Sequence, residues 1–168
     1  MFAWAIRDAE TVILHEGLPR SGSRGFADEL TKPHEELDGY LFYGETIDLA
    51  PDDARTLTEA FTDRTTFSSF MPIVGGMYAC GGFHPDYSIE WRRGPLSLRA
   101  QVCFSCGQVE VAGSGLRTRY DLRRPGSLAR LLIKYRRSRP VDSLRAVESL
   151  SRIRESLDAA PASSAEGR

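Results

Sequence analysis

From Tyr87 to Leu122 the side chains alternate in character with a period of two, and that alternation restricts the fold more than any other feature of the chain. Tyr87, Ile89 and Trp91 alternate with Ser88, Glu90 and Arg92. Arg93-Gly94-Pro95 then turns, and Leu96, Leu98, Ala100, Val102 and Phe104 alternate with Ser97, Arg99, Gln101 and Cys103. Successive strand side chains point to opposite faces, so this pattern predicts a half-buried antiparallel strand pair. Beyond Cys106-Gly107 the apolar phase slips to Val109 and Val111. Ala112-Gly113-Ser114-Gly115 turns into Leu116, Thr118, Tyr120 and Leu122, completing a β-meander of about four strands.

The phase slip falls on Cys103-Phe104-Ser105-Cys106-Gly107. On one regular strand Cys103 and Cys106 would point to opposite faces. The slip requires a bulge or tight turn there, closed by a glycine able to take positive φ. A zinc knuckle is such a turn, because two thiolates converge on a tetrahedral ion. Cys80 and His84, spaced C-x3-H, would complete a four-ligand set with Cys103 and Cys106, making structural zinc the expected cofactor. The set also has an ordinary reading: a bulge at Gly107, small buried thiols, and a hydrogen-bonded loop histidine. A third reading is a redox dithiol of Cys103 and Cys106, although outside a helix N-terminus that pair lacks the dipole that lowers a thiol pKa.

Other chemistries lack their parts. A zinc deaminase needs an acid two residues after its first ligand and a proline before its C-x-x-C; here Cys80 precedes Gly81-Gly82, and Val102 precedes Cys103. A Cys–His hydrolase would have to assemble Cys80 or Cys103 with His84, His34 or His15, and no oxyanion hole is legible, so no catalytic residue is assigned. Gly113-Ser114-Gly115 joins strands and opens no helix, so it is not a phosphate loop. Asp86 beside Pro85 reads as a capped turn, as does Glu16-Gly17-Leu18-Pro19.

Length and composition fit one globular domain over residues 1–140, followed by an amphipathic helix over 141–158 and a disordered tail over 159–168. No stretch suits a bilayer span or a signal peptide; three cysteines cannot all pair within one chain, and in a reducing compartment thiols or metal ligands are expected ahead of a disulfide framework. A cytoplasmic location with no membrane partner is expected. Charge is unevenly spread: residues 1–64 carry 14 acids against 6 bases, whereas 117–139 carry nine bases against Asp121 alone. The two regions either face each other, or serve a protein partner at the acidic third and, less favoured, nucleic acid at the basic segment.

The remaining elements follow from local signals. Phe2–Ile6 and Thr11–His15 read as a hairpin, Gly17–Gly39 as a long loop with a helical turn around Phe26–Thr31, and Tyr40–Leu49 as extended. Pro51-Asp52-Asp53 opens a helix to about Asp63, and Ser127 caps another to about Arg136. Leu144, Val147, Leu150, Ile153 and Leu157 stripe a last helix near 142–157, which docks on the domain or pairs with another chain. The expected class is α+β: an antiparallel meander sheet of five or more strands with helices packed on one side.

Four segments together resemble an uncharacterised family of small bacterial proteins. They are His15-Glu16-Gly17-Leu18-Pro19, Cys80-Gly81-Gly82-Phe83-His84-Pro85-Asp86-Tyr87, Cys103-Phe104-Ser105-Cys106 and Lys134-Tyr135-Arg136 through Arg139-Pro140. The likeness spans roughly residues 10 to 140 and is carried mainly by the C-G-G-F-H-P-D-Y box. It brings no established activity, and where similar proteins have histidine and glutamate this chain has Gly107 and Gln108. Three functional readings stand open: a small binding or regulatory protein with a structural zinc site, a thiol redox protein using C-x-x-C, and a protein-interaction module of inhibitor or immunity type.

Overall fold

The structure, a computed structural model, describes residues 3–70, 82–113 and 115–140. Its elements are α1 (Ala3–Arg7), β1 (Thr11–Gly17), α2 (Phe26–Glu29), β2 (His34–Leu37), β3 (Tyr40–Asp48), α3 (Pro51–Thr62), β4 (Phe67–Ser69), β5 (Tyr87–Arg93), β6 (Leu96–Cys103), β7 (Gln108–Gly113), β8 (Leu116–Leu122) and α4 (Pro125–Ile133). The strands form one antiparallel sheet of eight, ordered β2-β3-β1-β5-β6-β7-β8-β4. The fold is therefore of α+β type, and the expected meander is the consecutive run β5 to β8.

The alternation sorts the two faces. Tyr87, Ile89, Trp91, Leu98, Ala100, Val102, Val109 and Val111 join Leu14 and Ile47 in the core cluster. Helices complete that core: Ile6 from α1, Leu57 and Phe61 from α3, and Leu128, Ala129 and Leu132 from α4. Phe61 lies with its ring centroid 5.0 Å from that of Trp91, whose indole N–H donates to Thr58 Oγ1 at 3.2 Å. That bond satisfies the polar end of a side chain that is otherwise fully buried.

Several expectations need correcting. Ala3–Arg7 is a helix packed on α3 and β5, not a strand paired with β1. Ile6 is buried as well from a helix as from a strand, and docking outweighs the weak intrinsic preference of the segment. β1 pairs with β3 and β5. The expected loop Gly17–Gly39 contains β2, joined to β3 by Asp38 (φ 52°) and Gly39 (φ 85°). Two central residues with positive φ are what a two-residue hairpin turn needs, and Asp-Gly is a favoured pair for it. α4 starts at Pro125, where a missing amide costs nothing, while Ser127 Oγ donates to Arg124 O at 3.1 Å instead of capping. The short strand β4, pairing with β8, was not foreseen. The helix near 142–157, the tail and Cys80 lie outside the described residues.

Candidate functional site

Backbone geometry builds the cysteine corner. Residues 82–86 run beside 102–106: Asp86 N–H donates to Val102 O at 2.7 Å, and Phe104 N–H donates to Asp86 Oδ2 at 2.7 Å. The backbone amides of His84 and Cys106 point at the Cys103 sulfur, and Ser105 Oγ lies 3.4 Å from it. Cys106 Sγ is 3.5 Å from Gly82 O. Gly107 N–H closes the turn on Phe104 O at 3.1 Å, with Gly107 at φ 64°. The tight turn read from the phase slip is therefore present.

The sulfurs differ in state. Against the expectation of thiols or metal ligands, Cys106 is disulfide-bonded, and because Cys103 is a free, buried thiol that bond is not between the two cysteines of C-x-x-C. Burial pushes the Cys103 thiol pKa up, and the Asp86 charge adds to the effect. Burial likewise pulls His84 below the usual imidazole range, reinforced by the Arg139 charge. Among the described residues no group of three or more His, Cys, Asp or Glu side chains is placed to hold a metal ion. Of the four proposed ligands, Cys103 and Cys106 share one turn, His84 reaches it through its backbone amide, and Cys80 is outside the described residues.

A buried charge latch adjoins this corner. Glu16, 1% exposed, accepts three backbone N–H bonds from the chain leaving α4: Arg137 and Ser138 on Oε2 at 3.1 and 2.8 Å, and Arg139 on Oε1 at 3.1 Å. Arg139 Nη1 pairs with Asp86 Oδ1 at 2.6 Å, both side chains being buried. Gly17, next to Glu16, donates to Asp86 O at 2.8 Å. A Cβ at Gly17 would collide with the Pro85 carbonyl oxygen, so this close approach requires glycine. The segments read as turns, E-G-L-P and H-P-D-Y, are in fact the two sides of this latch.

The second polar assembly lies on the sheet face opposite the core. Register pairs His15↔Ser88, Ser88↔Gln101, Gln101↔Glu110 and Glu110↔Arg119 make one transverse row over five strands. In the next row Glu90 pairs with Arg99, and on the other side Cys103 pairs with Gln108 and Gln108 with Asp121. These positions were expected to be the wet half of a half-buried sheet, yet Ser88, Glu90, Gln101, Gln108 and Glu110 are all at most 5% exposed.

The cover comes from the β2–β3 turn and from aromatic rings. Arg99 binds the Asp38 carboxylate through two nitrogens at 2.8 and 3.1 Å, and Gln101 Nε2 donates to Leu37 O at 3.0 Å. Arg119 lies 4.5 Å from the Phe83 ring centroid, and Arg117 lies 5.5 Å from that of Tyr40.

Ion pairing neutralises most of this face. Glu110 takes Arg117 at 2.5 Å and Arg119 at 2.8 Å. Glu90 Oε2 accepts from Arg92 at 2.8 Å and faces His15 Nε2 at 3.3 Å, while Glu90 Oε1 accepts from Ser97 at 2.5 Å. His15 Nδ1 faces Glu35 Oε1 at 2.9 Å. Burial alone would raise the Glu90 pKa, but the bonds from His15, Arg92 and Ser97 outweigh it and hold the carboxyl far below its usual range. Among the described residues three buried atoms of this face have no hydrogen-bond partner: Ser88 Oγ, Gln101 Oε1 and Gln108 Oε1. A fourth, the Tyr87 hydroxyl, is on the core face.

Four of the nine bases of the basic segment are paired inside the chain: Arg117 and Arg119 with Glu110, Lys134 with Asp53, and Arg139 with Asp86. Sequence reading missed the polar face because alternation identifies the chemistry of a face and not its exposure. The available signal was the presence of Gln101, Gln108, Glu90 and Glu110 opposite one another in adjoining strands, beside an Asp-Gly turn long enough to reach them. No protein-family model, curated protein or solved structure matches this chain.

Proposed function

We propose that this chain is a small binding or regulatory protein, with the Cys/His corner as a closed structural fastening and not a reaction centre. The observation that carries this reading is the direction of the His84 and Cys106 amides toward the buried Cys103 sulfur. Those two donors fix the sulfur and favour the thiolate that a metal ligand needs, while burial keeps it from solvent and from attacking a substrate. In the oxidised protein Cys106 is tied by its disulfide; in the reduced protein His84, Cys103 and Cys106, joined by Cys80, would supply a closed Cys3His set for zinc. We take the helices that contribute to the core as the cover of its sheet face, so that chemistry is left to the opposite face.

A thiol redox protein is the second reading, favoured by a free thiol three residues from a disulfide-bonded cysteine. It is weakened by the burial that raises the Cys103 pKa, because thiolate is the attacking species.

Thermal unfolding of untagged protein, with and without reductant and chelator, tests the fastening together with zinc content by elemental analysis. The expected result is a fall in melting temperature under reductant plus chelator, because a structural metal or disulfide contributes directly to folding. About one zinc per reduced chain, lost in Cys80→Ser and Cys103→Ser, identifies the metal form. A melting temperature indifferent to reductant, chelator and Cys106→Ser contradicts the proposal.

A further inference from the structure

Between Leu122 and Val141 the chain carries no acid, and its exposed side chains there are of one kind. Over residues 123–137 the exposed positions are Arg123, Arg124, Ser127, Arg130, Lys134 and Arg137, five bases and one serine. Arg123, Ser127, Arg130, Lys134 and Arg137 follow one another at intervals of four and three, so they line a single face of α4 and the turn after it. The opposite face is spent, with Leu128, Ala129 and Leu132 buried in the core. The helix dipole favours cations at a C-terminus, which accounts for Arg130 and Lys134. It does not account for Arg123 and Arg124, which precede the first turn, where the dipole is positive. Lys134 keeps 60% of its side chain exposed beside Asp53, so its charge still reaches solvent.

The chain as a whole has a formal net charge of −1, so a polyanion would be drawn to this face and not to the molecule at large. The composition of the face says which polyanion. A protein interface needs an apolar core with aromatic anchors, and none of the six exposed side chains is apolar, whereas nucleic-acid interfaces are polar and strongly basic. A membrane surface would take the apolar side of an amphipathic helix, and α4 has buried that side in the domain. Single strands are held by stacking on aromatic rings, which these exposed positions do not offer; a duplex backbone needs only cations and hydroxyls. Four of the five bases are arginines, whose planar fork matches phosphate. From Arg124 to Lys134 the face runs about 15 Å, over which a duplex presents roughly nine phosphates. We propose that the exposed face of α4 binds the phosphate backbone of a double-stranded nucleic acid without reading its bases. This supplies a partner for the binding role proposed above but uses none of the Cys/His corner, and either can fail without the other.

Fluorescence anisotropy of the full chain with a labelled DNA duplex of about 20 base pairs, over a series of salt concentrations, tests the surface. The expected dissociation constant is on the order of 10⁻⁴ to 10⁻⁶ M at physiological salt, with a slope of log affinity against log salt between about −3 and −4.5, the limit for five phosphate contacts. Arg124→Gln/Arg137→Gln and Arg130→Gln/Lys134→Gln should each make the slope shallower by about two and weaken binding at least about tenfold. Arg7→Gln/Arg24→Gln, exposed positions elsewhere with the same change in net charge, should leave both unchanged. Should one pair on α4 fail to fold, the other decides. No binding, a slope shallower than about −1, or equal weakening by the Arg7 and Arg24 pair overturns the proposal. Tighter binding at equal charge to a single strand, to poly-glutamate or to phosphatidylserine vesicles also overturns it, in favour of a single-stranded, acidic-protein or membrane partner respectively.

Discussion

The two faces of the central sheet are equally dry but are held by different forces. On one face Trp91, Ile89 and Val102 lie at most 1% exposed among the apolar side chains of the helices. On the other, Glu90 and Gln101 lie at most 2% exposed among charged partners. Burial of apolar area is forgiving of geometry, since it depends chiefly on surface removed from water. The polar face has no such latitude: each buried donor or acceptor must find its partner or lose its solvation uncompensated. A sheet with one face of each kind is stabilised by the first and specified by the second.

This contrast can be broken by paired substitutions. Trp91→Ala should cost about 3–5 kcal/mol by leaving a cavity beside Phe61. Glu90→Ala, although smaller in volume, should cost a similar 3–5 kcal/mol, because it strands the donors of His15 and Ser97 in the interior. Urea unfolding measures both; a cost below about 1 kcal/mol for Glu90→Ala would return that face to solvent. Next in size, Gly17→Ala should cost about 1–3 kcal/mol by driving a methyl group into the Pro85 carbonyl and loosening the latch. Asp38→Asn keeps the turn geometry but gives up the half-screened charge and one of the two acceptor oxygens that bind Arg99, so about 1–2 kcal/mol is expected.

Acid sharpens the same comparison. Folding lowers the Glu90 pKa below its ordinary 4.5, so the stability it contributes is complete above that value and is lost as pH falls below it toward the folded value. Melting temperatures between about pH 5 and pH 3 should therefore drop more steeply for the wild-type protein than for Glu90→Gln. Parallel curves would show that Glu90 is not held ionised by its neighbours.

How much of this was legible depends on the range of the signal. The meander was readable because Tyr87–Leu122 is a run of neighbouring strands whose alternation records their pairing locally. The C-F-S-C-G turn was readable for the same reason, since a phase slip must be absorbed where it occurs. Ala3–Arg7 was misread because its aromatic and branched residues resemble a strand until α3 is placed beside them. β2 was missed because charged residues in His34-Glu35-Glu36-Leu37 mask an edge strand, despite the Asp38-Gly39 signal immediately after it. The Glu16–Arg137–Arg139 latch joins positions more than a hundred residues apart, and nothing local in either segment announces the other.

The central claim is that the polar face is an interior, roofed by the Asp38–Gly39 turn. Hydrogen exchange of the Gln101 side-chain amide, followed by NMR after transfer to deuterium oxide, tests it most directly, since that group donates to Leu37 O and Asp38 Oδ2 at 3.0 and 3.2 Å. The account predicts exchange slowed to the rate of sub-global opening, at least about a hundredfold below an exposed glutamine side chain. Exchange at the rate of a free side-chain amide would contradict it and leave the sheet with one interior face.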